Sequence, residues 1–153
     1  MFFIKAEVRA SRIADEGVFT LEDIAKGQVV GNLGVGVKAM TEGEYHEGQR
    51  KGSELVIRTG ARWVSDQFLH KGIIEDEEYL NHSFDPNLLY HLGMLFAKRD
   101  IKSGEELTVN YEYLLAEDDE FSFCDSGTGR KVDGLDGYNA LARSAKELVD
   151  VLI

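Results

Sequence analysis

The chain has 153 residues, 43% of them apolar, and seventeen basic against twenty-eight acidic side chains give it a net charge of −11. That length fits one domain around one core. No apolar run approaches the roughly 20 residues of a membrane-spanning helix, and the acidic balance argues against nucleic acid phosphates and for a basic partner.

The opening MFFIKAEVRAS interrupts its apolar run with Lys5 and Glu7. It therefore lacks the core of a secretory signal, and the chain is expected in the cytosol or, in a eukaryote, the nucleus. Phe2, Ile4, Ala6 and Val8 alternate with Phe3, Lys5, Glu7 and Arg9, the pattern of an opening strand. Further strands are predicted at 17–20, 28–30, 54–59, 88–90, 94–98 and 107–111. Glycines punctuate them, and the single proline, Pro86, lies outside all of them. Thr41 with Glu44 has capping-box spacing and starts a short helix. At the end Leu141, Ala145, Leu148, Val149 and Leu152 share a helical stripe, read as its packing face. The fold class is therefore mainly β, short sheets with a C-terminal α-helix.

VFTLEDIAKGQVV from Val18 and LFAKRDIKSGEEL from Leu95 carry Phe, Asp, Ile and Gly at the same offsets. Each reads as strand, corner, strand, a recurring turn solution rather than a solenoid repeat. The acidic runs at 75–78 and 117–120 either steer a lysine-rich peptide or form solvated faces. Cys124, the single cysteine, excludes an internal disulfide and a cysteine-rich zinc site. His46, His70, His82 and His91 lack the spacing of metal ligands, so no metal is expected.

The stretch from Tyr79 to Tyr113, YLNHSFDPNLLYHLGMLFAKRDIKSGEELTVNYEY, carries the chemistry. Its NHSFDPN concentrates side chains that bond to backbone and ends in proline, which makes an irregular polar loop able to hold a polar ligand. NHSFDPN resembles the asparagine-histidine-serine signature of SET-domain lysine methyltransferases, and GEELTVNY resembles their second signature, which ends in the catalytic tyrosine. Phe84 stands where many members carry cysteine. Ala14, Glu16 and Gly17 fall in a segment similar to the family's cofactor loop, with Asp15 where glycine is usual. Phe123, Cys124, Gly127, Arg130 and Gly137 keep the spacing of the family's cysteine-rich tail, which here lacks its other cysteines.

The resemblance implies a SET domain over residues 1–115 and a degenerate, zinc-less tail with a helix packed on it over 116–153. It implies a fold with a pseudo-knot that brings Asn81 and Tyr111 together. It implies S-adenosylmethionine held by Ala14, Glu16, Gly17, Asn81, His82 and Phe123, and methyl transfer to the amine of a lysine in a basic protein or peptide. Tyr111 would face the methyl group, with Tyr90 as a further active-site tyrosine. Tyr113 and Leu33 would line the substrate side, Leu33 where relatives often have tyrosine. The tail would be held over the cofactor by Phe121, Phe123 and Tyr138. The competing expectation, motivated by Asp15, Leu33 and the stripped tail, is a SET-like module that binds a partner without methylating it.

Overall fold

The computed structural model describes residues 1–53, 61–64, 67–71, 75–115, 117 and 123–153. The strand predicted at 54–59 and Phe121 lie outside them. In chain order the first elements are β1 (Ala6–Ala10), β2 (Glu16–Thr20), β3 (Val29–Asn32), β4 (Val37–Thr41), α1 (Glu42–Arg50), β5 (Ala61–Val64) and β6 (Gln67–Lys71). They are followed by β7 (Asn81–His82), β8 (Leu88–His91), β9 (Met94–Ala97), β10 (Glu106–Val109), β11 (Phe123–Cys124), β12 (Lys131–Val132) and α2 (Gly137–Leu152). The strands form short sheets in the orders β1-β2-β10-β7, β3-β9-β8, β4-β6-β5 and β11-β12. This mainly β architecture with a C-terminal helix is the class read from the sequence.

Among these strands β10 positions the site. It runs antiparallel to β2, with Leu107 opposite Val18, and parallel to β7, with Thr108 opposite Asn81 and Val109 opposite His82. Val18, Leu107 and Val109 are fully buried, so a one-residue slip would turn apolar side chains out of the core. The loop after β7 grips the same strand. Asn87 Oδ1 accepts the Thr108 N–H at 2.9 Å, and its Nδ2 donates to the Glu106 carbonyl at 2.7 Å. A side chain thus supplies bonds that a neighbouring strand would otherwise make.

The two echoing segments pair with each other. Ile24 and Ile101 exchange both backbone hydrogen bonds at 2.8 Å. Gly27 N–H donates to Ala97 O while Gly104 N–H donates to Thr20 O, at 2.8 and 2.7 Å. Lys26 N–H is capped by Asp100 Oδ1 and Ser103 N–H by Asp23 Oδ1, both at 2.9 Å. These bonds are reciprocal about an approximate twofold axis through the two isoleucines, which are almost completely buried. Gly27 and Gly104 have φ of 80° and 87°, so the shared glycine supplies the left-handed backbone each corner requires. The echo is a clasp between two corners rather than a turn used twice.

Three local readings change in the structure. The inside-outside alternation of residues 2–9 holds, yet β1 begins at Ala6 and Phe2 makes a separate bridge to Gly31. The last predicted strand stops at Val109 because Asn110 caps a 3-10 turn at Tyr111–Tyr113, its side chain accepting the Glu112 N–H at 3.0 Å. Of the predicted stripe on α2, Leu148 packs against the core, but the buried residues are Gly137, Ala140, Ser144 and Val151, whereas Val149 and Leu152 are 55% and 57% exposed. Small residues seat this helix closely on β8, where His91 Nδ1 meets Ser144 Oγ at 2.9 Å, so counting large apolar side chains put the stripe out of phase. The Thr41–Glu44 capping box is present as read. Among the described residues no helix is long and apolar enough to cross a membrane.

Asn87→Ala strands the Thr108 N–H and the Glu106 carbonyl inside the protein, at a cost of about 2–4 kcal/mol. Urea unfolding should show a lower midpoint with an unchanged slope. An unmoved midpoint would mean that the Asn87 grip contributes nothing to β10.

Candidate active site

The parallel pairing of β7 with β10 brings the two polar signatures side by side. Tyr111 N–H donates to His82 Nδ1 at 3.1 Å, and the Tyr111 hydroxyl donates to the Leu80 carbonyl at 2.5 Å. Because His82 Nδ1 accepts, the neutral ring carries its proton on Nε2. Burial keeps the ring neutral by lowering its pKa, although Asp125 and Glu112 pull the other way. His82 Nε2 is buried and has no hydrogen-bond partner among the described residues. Its surroundings are aromatic, with ring centroids at 4.5 Å for Phe84, 5.5 Å for Tyr111 and 5.9 Å for Phe123.

On the other side of β7, Asn81 Nδ2 donates to the Glu16 carbonyl at 2.9 Å and to Glu106 Oε1 at 2.8 Å. This places Asn81 against Glu16 and Gly17, while Ala14 lies exposed in the preceding turn. That turn is closed by Ser11 N–H on Asp15 O at 3.1 Å. A cleft of about 460 Å³ opens between Arg12 and Ile13, residues 82–85 and the turn at 125–128. It therefore touches the 11–17 turn, the first signature and the tail, three segments distant in sequence.

The tail is held by means the sequence reading missed. Tyr138 is 64% exposed and holds nothing down. Phe123 does pack on the site, 6.0 Å from the Tyr111 ring, and β11 pairs with β12 beside it. The clamp is Arg130, whose guanidinium lies 3.8 Å from the Phe84 ring centre and donates to Glu112 Oε1 at 2.6 Å. Glu112 is fixed in turn by Asn110 Nδ2 at 2.9 Å. Phe84 thus gives an arginine a face to stack on. Among the described residues no three His, Cys, Asp or Glu side chains are grouped to hold a metal ion.

Tyr90 and Leu33 are both tied to the turn between β8 and β9. Leu33 N–H donates to the Gly93 carbonyl at 2.6 Å in the tight turn between β8 and β9. Burial pushes the Tyr90 phenol up to about 12, with the Gly93 amide opposing it, and among the described residues the hydroxyl has no partner within hydrogen-bonding geometry. Tyr113 faces α2, where its hydroxyl donates to Glu147 and Lys98 pairs with the same carboxylate at 3.1 Å. Burial opposes the Glu147 charge, but these two bonds outweigh it and hold its carboxyl below the usual range. Tyr113 lies in a separate polar pocket with Arg130, Arg143 and Lys98.

A scan against models of protein families matches residues 15–112 to the SET domain. No curated protein matches the chain.

Burial pushes Tyr90 and Tyr111 up to about 12, whereas an unfolded tyrosine ionises near about 10. The folded state keeps protons that the unfolded state releases, so this contribution is complete below about pH 10 and is lost as pH rises towards 12. Phenolate absorbance from these residues should appear only together with unfolding. A Tyr111 phenolate forming near pH 10 in the folded protein would show that water reaches the ring.

Proposed function

Since the chain belongs to the SET-domain family, whose members generally use S-adenosylmethionine, we propose that it transfers a methyl group from that cofactor to the side-chain amine of a lysine in a basic protein or peptide. The observation that carries this reading is the pair of bonds from Tyr111, to His82 Nδ1 and to the Leu80 carbonyl, beside a cleft that joins the 11–17 turn, the first signature and the tail.

The residues present fit the cofactor. The cleft has room for a ligand of this size, Asn81 Oδ1 makes no hydrogen bond to any described residue, and aromatic edges of His82, Phe84 and Phe123 stand ready to flank a base. Asn81, His82 and Phe123 would hold the cofactor on one side and Ala14, Glu16 and Gly17 on the other. When bound, it supplies a methyl group on positively charged sulfur.

Only a neutral lysine nitrogen can attack such a methyl group, and at pH 7 about one free lysine in 2,500 is neutral. Burial near a positive charge lowers that pKa, so no strong base is required. Tyr111 is no base itself, because burial raises its phenol to about 12 and keeps it protonated. Its proton is committed to Leu80 O, which leaves the oxygen lone pairs to accept an amine N–H and point the nitrogen lone pair at the methyl group. The Tyr90 hydroxyl, buried and without a hydrogen-bond partner among the described residues, is the second candidate to contact the amine. The net charge of −11 favours the approach of lysine-rich segments.

Tyr111→Phe should leave cofactor affinity within about threefold and lower turnover at least about tenfold, roughly the loss of one well-oriented hydrogen bond. Transfer of labelled methyl to lysate proteins, followed by mass spectrometry of the modified lysine, measures both the reaction and its target. For the wild type, kcat/KM should climb between about pH 7 and 9 as the amine deprotonates, with no fall from Tyr111 until far higher pH. A wild-type protein that takes up no S-adenosylmethionine in calorimetry would instead favour the non-catalytic partner-binding fold.

A further inference from the structure

Asn81 sits in a set of acceptors that decides which way its amide points. Its Nδ2 donates to Glu106 Oε1 at 2.8 Å, to Glu16 O at 2.9 Å and to Ser11 Oγ at 3.3 Å. A flipped amide would press Oδ1 against a carboxylate and a carbonyl, both acceptors only. The amide therefore turns its oxygen away from all three, where no described residue donates to it. Glu106 is the strongest of the three, because it is the charged one. It also collects the Ser11 hydroxyl, at 2.8 and 2.9 Å to its two oxygens, and Ser11 Oγ accepts the Ile13 N–H at 2.9 Å. One carboxylate thus joins the 11–17 turn, β2 and the first signature.

The neighbouring glycine exists for this carboxylate. A Cβ on Gly17 would lie 2.2 Å from Glu106 Oε1 and 2.8 Å from Asn81 Nδ2. The position needs glycine for space alone, since a side chain there would push Glu106 off Asn81. The adjacent Glu105 has another task, pairing with Arg99 at 2.8 Å on the surface, so the two glutamates of GEEL are not interchangeable.

We propose that Glu106 is a positioning residue for the cofactor: it locks the Asn81 amide with Oδ1 presented as an acceptor for the ligand's α-ammonium group. The inference rests on the methyltransferase reading of this cleft. Glu106 acts through Asn81, and its negative charge adds attraction for a cationic ligand.

Calorimetric titration with S-adenosylmethionine tests it. Glu106→Leu should weaken binding at least tenfold, and Glu106→Gln, which keeps one acceptor oxygen for the Asn81 amide, should stay within threefold of wild type. In an Asn81→Ala background Glu106→Leu should add less than twofold, since the amide it orients is gone. At saturating cofactor the turnover of Glu106→Leu should remain within threefold, so the loss falls on KM. Affinity unchanged in a folded Glu106→Leu, or a full additional loss in the Asn81→Ala background, overturns the proposal. Absence of wild-type binding would overturn the methyltransferase reading beneath the inference, whereas wild-type binding that Glu106→Leu leaves intact overturns this inference alone.

Discussion

The placement of β10 is the constraint on which the rest of the molecule depends. A parallel pair cannot close through a tight turn, so the chain between β7 and β10 must leave the sheet and return. Here it builds the β8–β9 hairpin and half of the Ile24–Ile101 clasp before coming back to lie between β2 and β7. Fully buried Leu107 and Val109 fix the register from the core side, and the Asn87 side chain fixes it from the loop. With that register set, Tyr111 emerges next to His82 and Glu106 emerges next to Asn81. The polar contacts of the site follow from the strand pairing and do not create it.

The site concentrates what the core avoids. The buried side-chain atoms without a hydrogen-bond partner among the described residues are His82 Nε2 and the Tyr90 hydroxyl, and each such group costs about 1–3 kcal/mol. Packing elsewhere offsets that cost. The His82 ring lies 5.5 Å from that of Tyr111, the kind of place where polar atoms stay unpaired until a ligand arrives. The Arg130 clamp belongs to the same economy. Its ion pair with Glu112 is partly exposed, with side chains 58% and 12% accessible, and pairs of this kind contribute about 1 kcal/mol or less. A structural zinc contributes roughly ten times more. The tail is also anchored by the Leu135 N–H on the Glu112 carbonyl at 3.0 Å and by the fully buried Val132.

Much of this was legible before any coordinates. The period-two alternation of residues 2–9 and the Thr41–Glu44 box depend on neighbours within a few residues, and they read correctly from the chain. The first signature reads as an irregular loop throughout, whereas Asn81 and His82 form β7, because a two-residue strand is made by its partner β10 and not by its own pattern. The echo between residues 18–30 and 95–107 was visible too. Its meaning was not, because reciprocal bonding between corners is a property of pairing rather than of either segment. The packing face of α2 was misread for the same reason: a helix face is chosen by what it meets, and β8 selected Ala140 and Ser144 over the larger Val149 and Leu152.

The sequence by itself determined the family, the mainly β class and the candidate polar residues, because signatures and periodicities are local patterns of side-chain chemistry. Tertiary structure alone decided which of those residues share a site. It joined His82 to Tyr111 and Asn81 to Glu106, set Tyr113 against Glu147, and gave the tail an arginine clamp in place of the aromatic one expected at Tyr138. The physical reason is that hydrogen bonds and ring stacking reach only a few ångströms, whereas these partners are separated by 18 to 34 positions along the chain. Only the strand pairing and helix docking of the folded chain close that distance.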